Sequence, residues 1–402
     1  MKVLFIAVFP PVLLPEADHA FHIVRHLADE GLTVEVLTAK GSVKSEHPNV
    51  TQASVMEHWN WQEAARLAWV IRRSKPEAVF LYYVSHMYHL HPMVTYIPAL
   101  VRKLVPQASM VTLFSNSGGA DAGRLSRGGR LIHRLLRRVL GAGTDYYHGT
   151  MLRDSTHVIT LSHRHLAELS GASPQLAEKS SLIPPPLIMP LSPDTPEVRA
   201  AGRRQLGMTD DLFLFAYFGY MYPGKGMETL LEAFQRVAAQ QNSARLAIIG
   251  GVTPFAGGPE YTELIRQTVT ALGLEKKIVF TGQFEWDSTQ GSQYLRAANA
   301  AVLPFDGGVQ MSNSSLAGVM THGLPVITTA GPMTETLFVD GENVCFCPAK
   351  DPEAMAEAML KVMADPALCR RLHCGSLAVA DEWFSWKRAT QRTLAALRSA
   401  NR

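Results

Sequence analysis

The chain has 402 residues, 47% of them hydrophobic and 18% charged, which is room for two or three domains of roughly 150 residues and too apolar for a disordered chain. The 38 basic and 35 acidic residues leave a net +3, too little to drive nucleic-acid binding by phosphate neutralisation. The cysteines Cys345, Cys347, Cys369 and Cys374 form no zinc-type CxxC pair, and no apolar run approaches the roughly 20 residues of a membrane helix, so the expectation is a reduced, cytoplasmic protein that binds no nucleic acid.

Residues 3–9 form a continuous apolar run of strand length. Pro10 and Pro11 follow without a small-residue cleavage site, which argues against a signal peptide. Ala20, Phe21, Ile23, Val24 and Leu27 then recur at helical spacing, with Asp18 as candidate N-cap. Strands are predicted at 34–38, 79–84, 110–114 and 158–161, with helical segments between them. Buried strands alternating with helices imply a parallel, doubly wound sheet.

Pro184, Pro185, Pro186, Pro190, Pro193 and Pro196 exclude a helix or central strand and mark a linker. A second α/β unit follows, with strands at 212–218, 245–250, 278–280 and 300–303, helices at 227–239 and 261–272, and then a glycine loop, a helix after the polar cluster at 312–315 and a strand within 323–328. The expected architecture is two Rossmann-like α/β domains, 1–190 and 191–380, facing a central cleft, followed by 381–402 with Trp383 and Trp386 opening a last helix. In such sheets ligands bind outside the carboxyl ends of the strands.

Two segments carry a pattern suited to anions. In the first, Gly219, Gly224 and Gly226 surround Lys225 between a predicted strand and helix. Glycines let the backbone approach a phosphate and the lysine supplies a point charge, although an ordinary turn with a solvated lysine has the same spacing. In the second, Ser312, Asn313, Ser314 and Ser315 stand where a helix begins after the loop at 304–311. A single cap needs one such residue, so four in succession favour a diphosphate site.

Glu16 and Asp18 are placed in the loop after the first strand, where Asp18 caps the helix and Glu16 is left as a candidate ligand contact or base. His86, His89 and His91 follow the strand at 79–84. Without a nearby carboxylate or cysteine they read as polar ligand-binding or packing residues, not metal ligands. Arg124, Arg127, Arg130, Arg134, Arg137 and Arg138 take one side of a helix and Leu125, Ile132, Leu135, Leu136, Val139 and Leu140 the other. This is either a solvated basic face or a peripheral membrane contact through 124–140. Residues 141–150, with Tyr146, Tyr147 and His148, read as a mobile loop.

The chain resembles the group-1, family-4-like retaining glycosyltransferases of the GT-B fold. The carriers are Lys225-Gly226 ahead of Leu230-Leu231-Glu232-Ala233-Phe234, Ile248-Ile249-Gly250-Gly251, Val279-Phe280-Thr281-Gly282, Gly323-Leu324-Pro325-Val326, and Thr334-Glu335 ahead of Asp340-Gly341-Glu342-Asn343. The resemblance implies a nucleoside diphosphate sugar donor such as a UDP sugar, a saccharide or lipid-linked acceptor, and no metal cofactor. It implies Lys225 and Gln310 as catalytic residues and Gly219, Gly251, Ser312, Asn313, Ser314, Ser315 and Glu335 as donor-binding ones. Glu16, His86 and Asn116 would bind the acceptor on the N-terminal domain, Glu16 orienting its hydroxyl or acting as base and the loop at 141–150 covering it, and the last helix would cross back to that domain. The sequence departs from the family at several points. Gln310 and Gly318 replace its paired glutamates, Tyr220 replaces the arginine beside the phosphate lysine, and Phe114 falls near the usual histidine. A non-catalytic glycan- or partner-binding protein, or an epimerase or phosphorylase on the same fold, remains open at this point.

Overall fold

A computed structural model describes residues 1–12, 14–251, 258–285 and 287–399. The chain divides into two compact units, Met1–Pro184 with Ala389–Arg402, and Pro185–Arg388; residues 400–402 of the last stretch lie outside the described residues.

In the first unit the order is β1 (Lys2–Ile6), α1 (Pro15–Asp29), β2 (Thr33–Ala39), β3 (Val50–Met56), α2 (Ala64–Ser74), β4 (Ala78–Tyr83), α3 (Ile97–Leu104), β5 (Ser109–Phe114), α4 (Arg127–Leu140), α5 (Met151–Asp154), β6 (His157–Thr160), α6 (His163–Ala172) and β7 (Ser180–Leu182). The seven strands pair in parallel in the order β3-β2-β1-β4-β5-β6-β7. Helices are needed to carry the chain between parallel neighbours and they cover the faces, so the central strands are apolar throughout. Val3, Leu4, Phe5 and Ile6 are fully buried, and the Phe5 ring stacks on Phe80 with centroids 4.7 Å apart.

The second unit runs α7 (Pro196–Gln205), β8 (Phe213–Phe218), α8 (Met227–Gln240), β9 (Ala244–Ile249), α9 (Gly258–Ala271), β10 (Ile278–Gly282), α10 (Gln290–Ala297), β11 (Ala300–Leu303), α11 (Ser314–Thr321), β12 (Val326–Ala330), β13 (Cys345–Pro348), α12 (Pro352–Ala364), α13 (Pro366–Trp383) and α14 (Trp386–Ser399), the last passing into the first unit at Ala389. Its six strands are also parallel, in the order β10-β9-β8-β11-β12-β13. Leu230, Leu231, Phe234 and Val237 of α8 bury one apolar stripe, and Thr195, Asp351 and Asp365 cap α7, α12 and α13.

Four sequence expectations change. Helix α1 begins at Pro15 behind Leu14, which offers no side-chain cap; Glu16 and Asp18 therefore lie in its first turn, and Asp18 is not the N-cap. Helix α11 begins at Ser314, so Ser312 precedes it and lends it no first-turn amide. Trp383 closes α13, and only Trp386 opens the last helix, its indole nitrogen donating to the Leu187 carbonyl at 2.7 Å. The edge strands β3, β7 and β13 were not predicted.

Candidate functional site

In the second unit the strand order reverses between β8 and β11. Chain connections leave that point toward opposite sides, opening the crevice that doubly wound sheets use for ligands. Both sequence-predicted anion segments end there. Gly219, at φ 128°, follows β8, and a Cβ on it would stand 3.3 Å from the Ser315 Cβ. Gly226, at φ 71°, opens α8, and a Cβ there would collide with the Pro304 carbonyl oxygen. The two loops thus meet backbone to backbone, and glycine is what permits it.

Lys225 stands between them. Its Nζ lies 5.0 Å from the Tyr222 ring centroid and 4.9 Å from that of Phe305. No carboxylate among the described residues pairs with it, so two aromatic faces hold a cation whose charge is available to a ligand. On the facing side, Asn313 precedes α11 but turns its Oδ1 to the Gln310 amide at 2.8 Å. The amides of Ser314 and Ser315 consequently donate to no acceptor among the described residues. Two open amides at a helix start, with a lysine opposite, suit a diphosphate.

Glu335 is buried, and its Oε2 accepts from the Met311 amide at 2.6 Å. It shapes the loop that leads into α11. Gln310 is half-buried, its side-chain amide 3.6 Å from the Met333 sulfur. At Gly318, a Cβ would lie 2.5 Å from Cε1 of Phe218. The Phe218 ring fills the space where a side chain would start, so the absence of a glutamate at 318 and the phenylalanine ending β8 are one packing solution.

Beyond the ends of β9 and β10 lies a cavity of ≈ 140 Å³, lined by Gly250, Gly251, Thr262, Arg266, Phe280 and Gln283 among others. A Cβ on Gly251 would meet the Gln283 Cβ at 2.8 Å. The Arg266 guanidinium lies 4.5 Å above the Phe280 ring centroid, and the buried Thr262 hydroxyl has no partner among the described residues. Gly251 is one of the residues the resemblance assigns to the donor; Thr262 and Arg266, from the middle of α9, carry no local motif in the sequence.

In the first unit the reversal falls between β1 and β4. Glu16, after β1, and His86, after β4, meet there with Oε1 and Nε2 3.6 Å apart. Burial, and then the charge of Glu16, push the Asp18 carboxyl up to about 7. Burial drives His19 down to about 3, and its Nδ1 lies 3.0 Å from the Tyr82 hydroxyl. Asn116 sits on the neighbouring loop after β5, with Oδ1 accepting from the Gly118 amide at 3.0 Å. Phe114 is fully buried, and its ring centroid lies 6.0 Å from that of His148. The sequence places His148 within the loop at 141–150 and gives it no role of its own. Its Nδ1 lies 3.0 Å from Asp145 and its Nε2 3.0 Å from the Ser117 carbonyl, and the hydrogen bond from His148 holds the Asp145 carboxyl well below the usual range. Of the three neighbouring histidines, His91 accepts from the Met93 amide at 3.1 Å while His86 faces Glu16.

Residues 213–365 match the family model described as glycosyl transferases group 1, a segment that holds Lys225, the start of α11 and Glu335. A D-inositol 3-phosphate glycosyltransferase of Geodermatophilus obscurus is 28% identical over 248 residues, 59% of this chain and 50% of the relative. A GDP-mannose-dependent monoacylated alpha-(1-6)-phosphatidylinositol monomannoside mannosyltransferase of Corynebacterium glutamicum is 24% identical over 266 residues, 63% of this chain and 64% of the relative. The chain spans about half the length of the inositol-phosphate relatives it matches, 50%, 48% and 45% in three of them. Among solved structures, Anabaena HepE in complex with UDP and glucose superposes with a TM-score of 0.71 at 15% identity, over 99% of this chain and 100% of that one. Sucrose-phosphate synthase of Thermosynechococcus elongatus does so at 0.71 and 17%, over 99% and 98%. The fold is that of the GT-B glycosyltransferases, two parallel-sheet α/β units.

Proposed function

We propose that this chain is a glycosyltransferase that moves a sugar from a nucleoside diphosphate sugar onto an acceptor hydroxyl. The observation that carries the reading is the meeting of Lys225 with the open amides of Ser314 and Ser315, at the strand reversal of the segment matched to the group-1 family. In the transfer the bond between the sugar anomeric carbon and the diphosphate oxygen breaks and a bond to the acceptor oxygen forms. Negative charge gathers on the departing diphosphate, and a fixed cation with two amide dipoles stabilises that charge in the transition state. These groups take the place of a metal ion in the proposal.

The nucleoside would extend from Gly219 toward Gly251 and the cavity beside Arg266 and Phe280. Gln310 would donate to a sugar hydroxyl. Glu335 acts by holding the Met311 amide and hence the loop. Ser312 and Asn313 contribute through that loop, since neither lends a first-turn amide to α11. On the first unit Glu16, paired with His86, would receive the acceptor hydroxyl, with Asn116 beside it. The family resemblance implies retained anomeric configuration, with the acceptor proton leaving on the departing phosphate oxygen.

A second reading, a non-catalytic glycan-binding protein, is favoured by the Phe218 ring filling the space at Gly318. One experiment separates them. UDP-, GDP-, ADP- and dTDP-sugars are incubated with the native chain and with Lys225→Ala, nucleotide release is followed, and the anomeric configuration of the product is read by proton NMR. The transferase reading predicts turnover of one donor, loss with Lys225→Ala, and an α product from an α donor. Binding without release favours the second reading, an altered sugar nucleotide indicates epimerisation, and an inverted product overturns retention.

A further inference from the structure

Helix α4 does not bury its apolar residues. It rests on the first unit through Gly129 and His133, which are buried, and through Leu136, Arg137 and Leu140, which are half-buried. Ser126 caps it by accepting from the Gly129 amide at 3.2 Å, the His133 Nδ1 lies 2.9 Å from the Tyr96 hydroxyl, and Arg137 lies 5.3 Å from the Tyr146 ring centroid. These anchors fix the rotation of the helix.

That rotation turns a different apolar set outward. Leu131, Leu135 and Val139 are 61%, 58% and 72% exposed, with Ile132 exposed beside them. Steps of four residues keep the first three on one face of a helix. Arg127, Arg130, Arg134 and Arg138 are all exposed and occupy the strip between the outer apolar face and the anchored face. None of them pairs with a carboxylate among the described residues, and no Asp or Glu occurs anywhere in 122–144. A water-facing helix covered by the body would expose its charges and hide its leucines. Here both face outward, side by side, over roughly 21 Å of helix.

We propose that α4 is a docking helix for an anionic lipid surface. Its outer face enters the boundary between headgroups and acyl chains through Leu131, Leu135 and Val139, while Arg127, Arg134 and Arg138 pair with headgroup phosphates. An uncompensated row of cations beside an apolar stripe is complementary to a bilayer that offers negative charge and hydrocarbon at adjacent depths. The proposal stands on α4 alone and holds or falls independently of the transferase reading.

The test is flotation of the full chain with vesicles of phosphatidylcholine alone and of phosphatidylcholine mixed with phosphatidylglycerol. The chain should float with the mixed vesicles, release as salt is raised, and leave phosphatidylcholine vesicles largely unbound. The triple variant Leu131→Ser, Leu135→Ser, Val139→Ser, and separately Arg127→Gln, Arg134→Gln, Arg138→Gln, should each lower the bound fraction at least about tenfold, with the melting temperature and nucleotide binding of each variant matching the native chain as the control on folding. A native chain that ignores the mixed vesicles, or variants that fold and float as well as it does, would overturn the proposal. So would a native dimer in light scattering that the serine variant makes monomeric without any vesicle binding, since a second copy would then be the occupant.

Discussion

Lys225 is held by aromatic faces instead of a carboxylate, which leaves its charge for a ligand and makes its removal a direct probe. A charge-assisted contact to phosphate corresponds to roughly 10- to 100-fold in affinity; Lys225→Ala should weaken diphosphate binding by that factor, with little change in melting temperature. Gly226→Ala should behave in the opposite way. The new methyl group meets the Pro304 carbonyl at a positive φ, so a loss of more than about 2 kcal/mol of stability is expected, read as a lower denaturant midpoint. A third residue sets a pH dependence. Asp18 is raised from its ordinary 3.8 to about 7, so across that window the folded chain keeps a proton that the unfolded chain has lost. Stability from this group therefore falls as pH rises through the window and stays lower above it. Asp18→Asn should melt higher than the native chain at pH 8, with the two converging near pH 4. A constant difference at both pH values would show that the substitution acts through packing alone.

At the scale of elements, what the sequence made readable followed burial. The central strands β1, β4, β5, β8, β9 and β11 are apolar runs because both faces are covered. The three that escaped prediction, β3, β7 and β13, are all edge strands; sequences such as VTQASVM and SSL carry polar residues because an edge strand meets water. The loops of the candidate donor site were readable for a different reason, since glycines beside a lysine and a run of small polar residues are local signals. Thr262, Arg266 and His148 are brought to their places by α9 and by the turn at Asp145, and no short-range pattern marks them. Helix α4 shows the limit of periodicity: its arginine spacing was plain, whereas which leucines face outward was decided by the His133 and Gly129 anchors. An element-scale test lies in the loop before α11. Glu335→Gln replaces the charged acceptor of the Met311 amide, and donor KM should rise more than kcat falls if the carboxylate positions the loop. A fall in kcat alone would assign Glu335 a part in the chemical step.

At the scale of the whole molecule, strand order reverses once in each unit, and in doubly wound sheets such reversals are where ligands bind. The residues found there differ in kind. The second unit offers a cation and open amides, the first a carboxylate paired with a histidine, as expected if one receives a diphosphate and the other a hydroxyl. Because the proposal assigns the diphosphate charge to Lys225 and helix α11, sugar transfer should persist when divalent ions are chelated with EDTA; loss of activity restored by added Mg²⁺ or Mn²⁺ would reassign that task to a metal. No helix among the described residues is long and apolar enough to cross a membrane.

The central claim is that a nucleoside diphosphate is held at the strand reversal of the second unit. Calorimetric titration of the native chain and of Lys225→Ala with UDP, GDP, ADP and dTDP, each beside its monophosphate, tests it most directly. One diphosphate should bind the native chain more tightly than its monophosphate, and Lys225→Ala should remove that difference. Absence of binding by every diphosphate, or equal affinity in the variant, would contradict it.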